Sequence, residues 1–350
     1  MGRTAFKFLR PIGFAVVALC VAACSNSRSV GNSPISTPVP AASNAASGPA
    51  LGAWWDVNRK GLRTVLGVAG AAYQGPPLYN DGSFTGGSAC MRAGVALLRA
   101  PSGSLFSVNL STGNPSLAAS GVDVNTSMVF SPSCASSLLY KRGSSQALLL
   151  EGLSSTPTVT NVVLPAGAAA VAVGDSGLIL VQVPGTRQSA AIELIANGTD
   201  APQSVTELTQ FGGMAFLPGT DAALLADAGT SSVIKVSHLS GVMALAPIAG
   251  KAQGVSKPSA IAVSADGLLA AVVNQGSAVL RLDLSGASAS STVLCHCTPT
   301  ELEPLTGNFA FRLNEPGAGT VWAFDGSSAE PRIFFIPSEQ VASKLQKGSR

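Results

Sequence analysis

Charge is scarce in this 350-residue chain. Asp, Glu, Lys and Arg together make up 11%, well below the roughly 25% usual for soluble domains, so solubility rests largely on Ser, Thr, Asn and Gln. Histidine is scarcer still: only His238 and His296 are present. Both fall in or near runs that read as strands, where a lone imidazole is ordinarily structural or solvent-facing. No G-x-S-x-G elbow occurs, which removes the usual signal of an α/β-hydrolase. The tetrapeptide at 174–177, Gly-Asp-Ser-Gly, imitates the nucleophile motif of chymotrypsin-like proteases. Those enzymes place their histidine before the serine, and no histidine precedes residue 238, so the triad cannot be completed in that order. The tetrapeptide reads instead as an inter-strand turn, equivalent to residues 264–267. The apolar run at 12–23 is too short to span a bilayer, which takes about 20 residues.

That run does have a role in export. Arg3, Lys7 and Arg10 precede it, no acid occurs before Cys24, and small residues close it. A basic start, a short apolar segment and a small-residue exit describe a secretory signal peptide over residues 1–23. The exit, Val21-Ala22-Ala23-Cys24, resembles the lipobox of bacterial lipoproteins. The resemblance implies that Cys24 is diacylated and becomes the first residue of the mature chain, since stable anchoring takes more than one acyl chain. In that family Asp after the cysteine signals inner-membrane retention, so Ser25 implies the outer membrane. A cleaved secretory peptide with an incidental cysteine is the alternative.

Removing the leader changes the charge balance. The precursor carries 21 basic and 18 acidic residues; without the three basic residues of the leader, 18 face 18. The mature chain is formally neutral, and no electrostatic footprint for nucleic acid remains. Residues 24–52 are rich in Ser, Asn, Pro and Ala without apolar periodicity, so they read as a lipidated cysteine and flexible tether.

The next 300 residues are repetitive. Residues 259–267, 268–274, 278–286 and 291–296 form four short β-branched or apolar runs separated by Asp-Gly and Ser-Gly turns, a four-strand meander. The cycle recurs from residues 88, 127, 169, 213 and 300, at a spacing of about 36–48 residues, the range of four-stranded propeller blades. Such units bury their faces only by stacking radially. The expectation is an all-β propeller over residues 53–340, with a tail at 341–350. Six full blades is the preferred count, with residues 54–70 as the last two strands of a blade closing the ring; a depleted seventh blade is the alternative. The 259–286 segment resembles the YVTN-type repeat of bacterial β-propellers and, more loosely, NHL and WD40-like families. The single Trp-Asp dipeptide, at 55–56, does not recur from unit to unit, which disfavours true WD40, and three Trp are too few for the docking repeats of a quinoprotein propeller.

Of six cysteines, Cys20 leaves with the leader and Cys24 takes the lipid. Cys90, Cys134, Cys295 and Cys297 remain in an oxidising compartment, where disulfides persist. Four cysteines allow three pairings. Cys90 and Cys134 fall at the first strands of adjacent units, which lie side by side, so they can pair, leaving Cys295 with Cys297 around His296. Structural disulfides, free buried thiols and a redox or metal role all stay open for this set. Asp175, Asp221 and Asp266 recur at the same turn of successive units, which points to turn chemistry. Glu301 and Glu303, followed by Arg312, are the only loosely paired acids in a strand expected to line the channel.

These features point to an outer-membrane lipoprotein whose propeller faces the periplasm or the surface. It would act as a non-catalytic scaffold for a protein or envelope polymer, held to the membrane through Cys24, with no cofactor and no nucleic-acid partner. The alternatives are a lactonase-like propeller hydrolase with a metal in its channel, and a purely structural envelope component.

Overall fold

In the computed structural model the described residues are 49–337, apart from 197, 199, 287, 288 and 316–319. The expected signal peptide, Cys24, most of the tether and the residues beyond 337 lie outside them. Among the described residues no helix is long and apolar enough to cross a membrane.

The chain forms seven antiparallel sheets in sequence order. Blade 1 holds β1 (Ala50–Asp56), β2 (Gly61–Val68) and β3 (Ala71–Leu78). Blade 2 holds β4 (Gly86–Cys90), β5 (Val95–Arg99), β6 (Leu105–Asn109) and β7 (Pro115–Ala119). Blade 3 holds β8 (Ser127–Phe130), β9 (Ser136–Tyr140), β10 (Gln146–Glu151) and β11 (Thr158–Val163). Blade 4 holds β12 (Ala170–Val173), β13 (Ile179–Pro184), β14 (Ala190–Ile195) and β15 (Gln203–Leu208). Blade 5 holds β16 (Phe211–Phe216), β17 (Ala223–Asp227), β18 (Ser232–Ser237) and β19 (Ala244–Ala249). Blade 6 holds β20 (Ala260–Val263), β21 (Leu269–Asn274), β22 (Ala278–Asp283) and β23 (Ser291–Leu294). Blade 7 holds β24 (Glu303–Pro304), β25 (Ala310–Arg312), β26 (Val321–Asp325) and β27 (Arg332–Ile336).

The propeller therefore has seven blades, and the preferred count of six gives way to the alternative. Residues 50–78 do not complete another blade; they build their own sheet. The strand that sequence reading missed is β3, which contains Gly75-Pro76-Pro77. Proline cannot donate to a ladder, but β3 is an edge strand, where that loss is tolerated.

Each interface between neighbouring blades holds its own apolar core, and seven such cores close the ring. Strand β5 shows how. Ala96 and Leu98 point into the core shared with blade 1, while Val95 and Leu97 point into the core shared with blade 3. Successive strand residues face opposite sides, so a strand buried on both faces reads as a continuous apolar run. The last interface joins Leu305, Ala310, Val321 and Ile336 of blade 7 to Leu51, Trp54 and Val65 of blade 1. Thr306 N donates to Leu51 O at 2.7 Å across the same seam.

Blade 1 is built differently from the others. Strand β1 is buried almost throughout, like the second strands elsewhere. It begins beside the β24–β25 turn, where Leu51 O meets Thr306. Strand β3, paired with β2 at the other edge of the sheet, leads into β4 as outer strands lead into inner ones around the ring. The three strands thus correspond to the second, third and fourth of a full blade, and the inner position is not filled among the described residues. Blade 1 is braced instead by Arg63, 1% exposed. Its Nε lies 2.9 Å from Asp56 Oδ2, and its Nη1 donates to Gly75 O at 2.9 Å.

Candidate functional site: the axial channel and its acidic mouth

The inner strands of blades 2 to 7 surround an axial cavity of about 220 Å³. Short β-branched and small residues let these strands approach the axis, so the lining is mainly Ala, Val, Met, Phe and Ile. Arg92, just beyond β4, closes the end where the inner strands finish. Its Nη1 donates to Pro132 O at 2.8 Å and its Nη2 to Val263 O at 3.1 Å. Burial lowers its pKa, opposed by the charges of Asp175 and Asp266.

The other end opens on a second cavity, of about 180 Å³, which shares Ala89 and Glu303 with the first. It occupies the sector where blade 1 has no inner strand. Its walls are Trp54 and Trp55 of β1, the start of β4, and Glu301, Glu303, Arg312 and Glu315 from blade 7. Arg312 Nη2 lies 3.2 Å from Glu301 Oε1, and the guanidinium sits 5.7 Å from the Trp54 ring centroid, within cation–π range. Three buried polar atoms at this mouth make no hydrogen bond: Trp54 Nε1, Arg312 Nη1 and Glu301 Oε1. Burial raises the Glu301 pKa to about 7; Arg312 opposes the rise, and the neighbouring carboxylates of Glu303 and Glu315 add to it. Burial also raises Glu303, again against Arg312. A carboxyl near pKa 7 can exchange a proton at neutral pH.

The acids expected at turns behave as turn residues. Asp175 accepts from Ser133 N and Ser133 Oγ of blade 3 and from Gly219 N of blade 5, stitching three blades together. Asp266 accepts from Ser264 Oγ and from Asn308 Nδ2 of blade 7. Asp221 accepts from Ser240 Oγ within its own blade. Burial works to raise Asp175 and Asp266, but their hydrogen bonds prevail and hold both below the usual range.

The cysteines lie away from the mouth cavity, although Cys90 borders the channel. Cys90, at the end of β4, is bonded to Cys134 in the β8–β9 turn of the next blade. Cys295 and Cys297 are bonded to each other at the rim of blade 6. His296 between them is exposed, as is His238 after β18. Neither histidine lines the channel or its mouth. Among the described residues no group of three or more His, Cys, Asp or Glu is arranged to hold a metal ion.

Sequence reading picked out Glu301, Glu303 and Arg312. It missed Glu315, which lies in the same blade just after Arg312, and Trp54, whose place at the site depends on ring closure. The paired tryptophans at 54–55, placed where a blade is incomplete, were the available signal.

No family model matches this sequence, and no curated protein matches it. Several solved structures are similar to it. A protein of unknown function from Desulfotomaculum acetoxidans DSM 771 is similar with a TM-score of 0.55 and 14% identity, over 83% of this chain and 100% of that one. A streptogramin B lyase is similar at 0.48 and 13%, over 70% of this chain and 80% of that one. A chain of a nidogen/laminin complex is similar at 0.43 and 13%, over 71% and 94%. At 14% identity the first of these likenesses concerns the fold alone.

Proposed function

We propose that this protein is a lipid-anchored envelope β-propeller, held at the outer membrane through Cys24, that acts as a non-catalytic scaffold for a protein or envelope polymer. The observation that carries the scaffold reading is the channel. Its lining is mainly apolar, a bonded arginine closes one end, and among the described residues the charged groups of its mouth include the Arg312–Glu301 ion pair and no histidine. What remains for recognition is a rigid disc whose loops face outward on two sides. The lipobox-like Val21-Ala22-Ala23-Cys24 and the tether behind it support the address.

One observation favours a second reading, a propeller enzyme. Glu301, with its pKa raised to about 7 beside Arg312, could give or take a proton from a bound ester or lactone. Two measurements separate the readings. The full chain, extracted from membranes in mild detergent, should carry a stoichiometric partner and leave a panel of lactones and esters untouched. Turnover lost in Glu301→Gln, with no partner recovered, would establish the enzyme and refute the scaffold.

A further inference from the structure

The cavity left by the missing inner strand of blade 1 is furnished for a ligand. It contains three carboxylates, Glu301, Glu303 and Glu315, against one guanidinium, Arg312. That imbalance favours a cation. Two buried donors on its walls, Trp54 Nε1 and Arg312 Nη1, make no hydrogen bond, and Glu301 Oε1 has only its ion pair with Arg312 Nη2. Trp54 and Arg312 are 4% and 7% exposed, so water compensates them poorly, and a buried unpaired donor costs about 1–3 kcal/mol. A ligand that satisfies this set must bring a positive donor for the carboxylates and, close to it, an oxygen acceptor for the indole and guanidinium. The adjoining channel adds a third requirement. Beyond Glu303 the walls become Met128, Val129, Met214 and Ile261, which suit an apolar group of modest size.

We propose that the channel mouth binds an apolar α-amino acid unit. Its protonated amino group sits among Glu301, Glu303 and Glu315, its carbonyl oxygen faces Trp54 Nε1 and Arg312 Nη1, and its side chain enters the channel. The unit can be a free amino acid or the first residue of a peptide. The site goes beyond the scaffold reading, because a partner could be carried on the rim with the channel empty. Binding is linked to pH. Glu301 faces Arg312, Glu303 and Glu315, and the indole of Trp54 closes the opposite wall. An ammonium group stabilises the ionised carboxyls, so its affinity rises as pH increases from about 6 to about 7, below the range in which a peptide's own amino group loses its proton.

The test is calorimetric titration of the full chain in detergent with L-leucine, L-leucyl-glycine and N-acetyl-L-leucine, with the methyl resonances of Met128 and Met214 followed by NMR. Leucine or leucyl-glycine should bind and shift both methionine methyls, and N-acetyl-leucine should bind at least about tenfold more weakly, the loss of one charge-assisted contact. Binding of both amines identifies the α-amino unit as sufficient; binding of leucyl-glycine alone identifies a peptide N-terminus. Glu303→Gln should weaken binding about tenfold or more. Glu315→Gln, at an exposed position that leaves folding intact, should weaken it severalfold. The proposal is overturned if neither amine binds at millimolar concentration, if acetylation makes no difference, or if binding leaves the two methionines unshifted. Failure here leaves partner recovery from membranes, and so the scaffold reading, unaffected.

Discussion

Glu301 gives the structure a specific pH signature. Its pKa rises from an ordinary 4.5 to about 7 because burial penalises the carboxylate more than Arg312 relieves it. Between those values the folded chain holds a proton that the unfolded chain releases. Stability therefore falls as pH rises from about 4.5 to about 7, and the contribution is fully present only below that window. At 1.36 kcal/mol per pH unit, the interval corresponds to about 3 kcal/mol. Glu301→Gln keeps the shape and removes the titration. The assay is urea unfolding of wild type and variant at pH 5 and pH 8. The variant should gain about 2.5 kcal/mol relative to wild type between the two pH values, the part of the interval that lies above pH 5, whatever its baseline at pH 5. The aspartates held low by hydrogen bonds, such as Asp175, Asp227 and Asp325, are ionised throughout this range in both proteins and cancel from the comparison. A difference below about 1 kcal/mol would refute the burial argument, and with it the account of the mouth.

Other expectations follow from single features. Cys90→Ser together with Cys134→Ser opens a bridge spanning 44 residues and should cost up to about 4 kcal/mol by loop entropy, read as a lower urea midpoint under oxidising conditions. Arg63→Ala strands the Asp56 carboxylate in the wall of blade 1 and should cost about 3–5 kcal/mol, read the same way; an unchanged midpoint would contradict the bracing role. Asp227→Ala removes the acceptor for the amides of Thr209, Gln210, Gly229 and Thr230 and should lower stability by about 2–3 kcal/mol. Cys24→Ala should move the protein from the membrane pellet to the soluble fraction on cell fractionation; continued pelleting with the outer membrane would refute the anchor.

The blades were legible in the sequence because each strand is short, buried on a fixed schedule and ended by Gly, Asp or Ser. Strands β20 to β23 fall within the four runs at 259–267, 268–274, 278–286 and 291–296. The disulfide of Cys90 with Cys134 was legible for a related reason: the repeat places equivalent strands side by side. Blade 1 resisted reading because Pro76 and Pro77 mask a strand that only an edge position permits. The site was half legible. Glu301, Glu303 and Arg312 stand together in the sequence, whereas Trp54 reaches them only when the first and last blades meet. No local pattern encodes that seam, because closure depends on the number of blades and on how each packs against the next.

The scaffold reading is tested most directly in intact cells, with photo-crosslinking residues placed one at a time at exposed apolar positions around the ring, Val57, Leu117, Val159, Val242 and Phe335. The account predicts one dominant adduct, formed from neighbouring positions on one side of the disc and lost when Cys24→Ala releases the protein. An absence of adducts at every position, with small-ester turnover by the same protein, would contradict it.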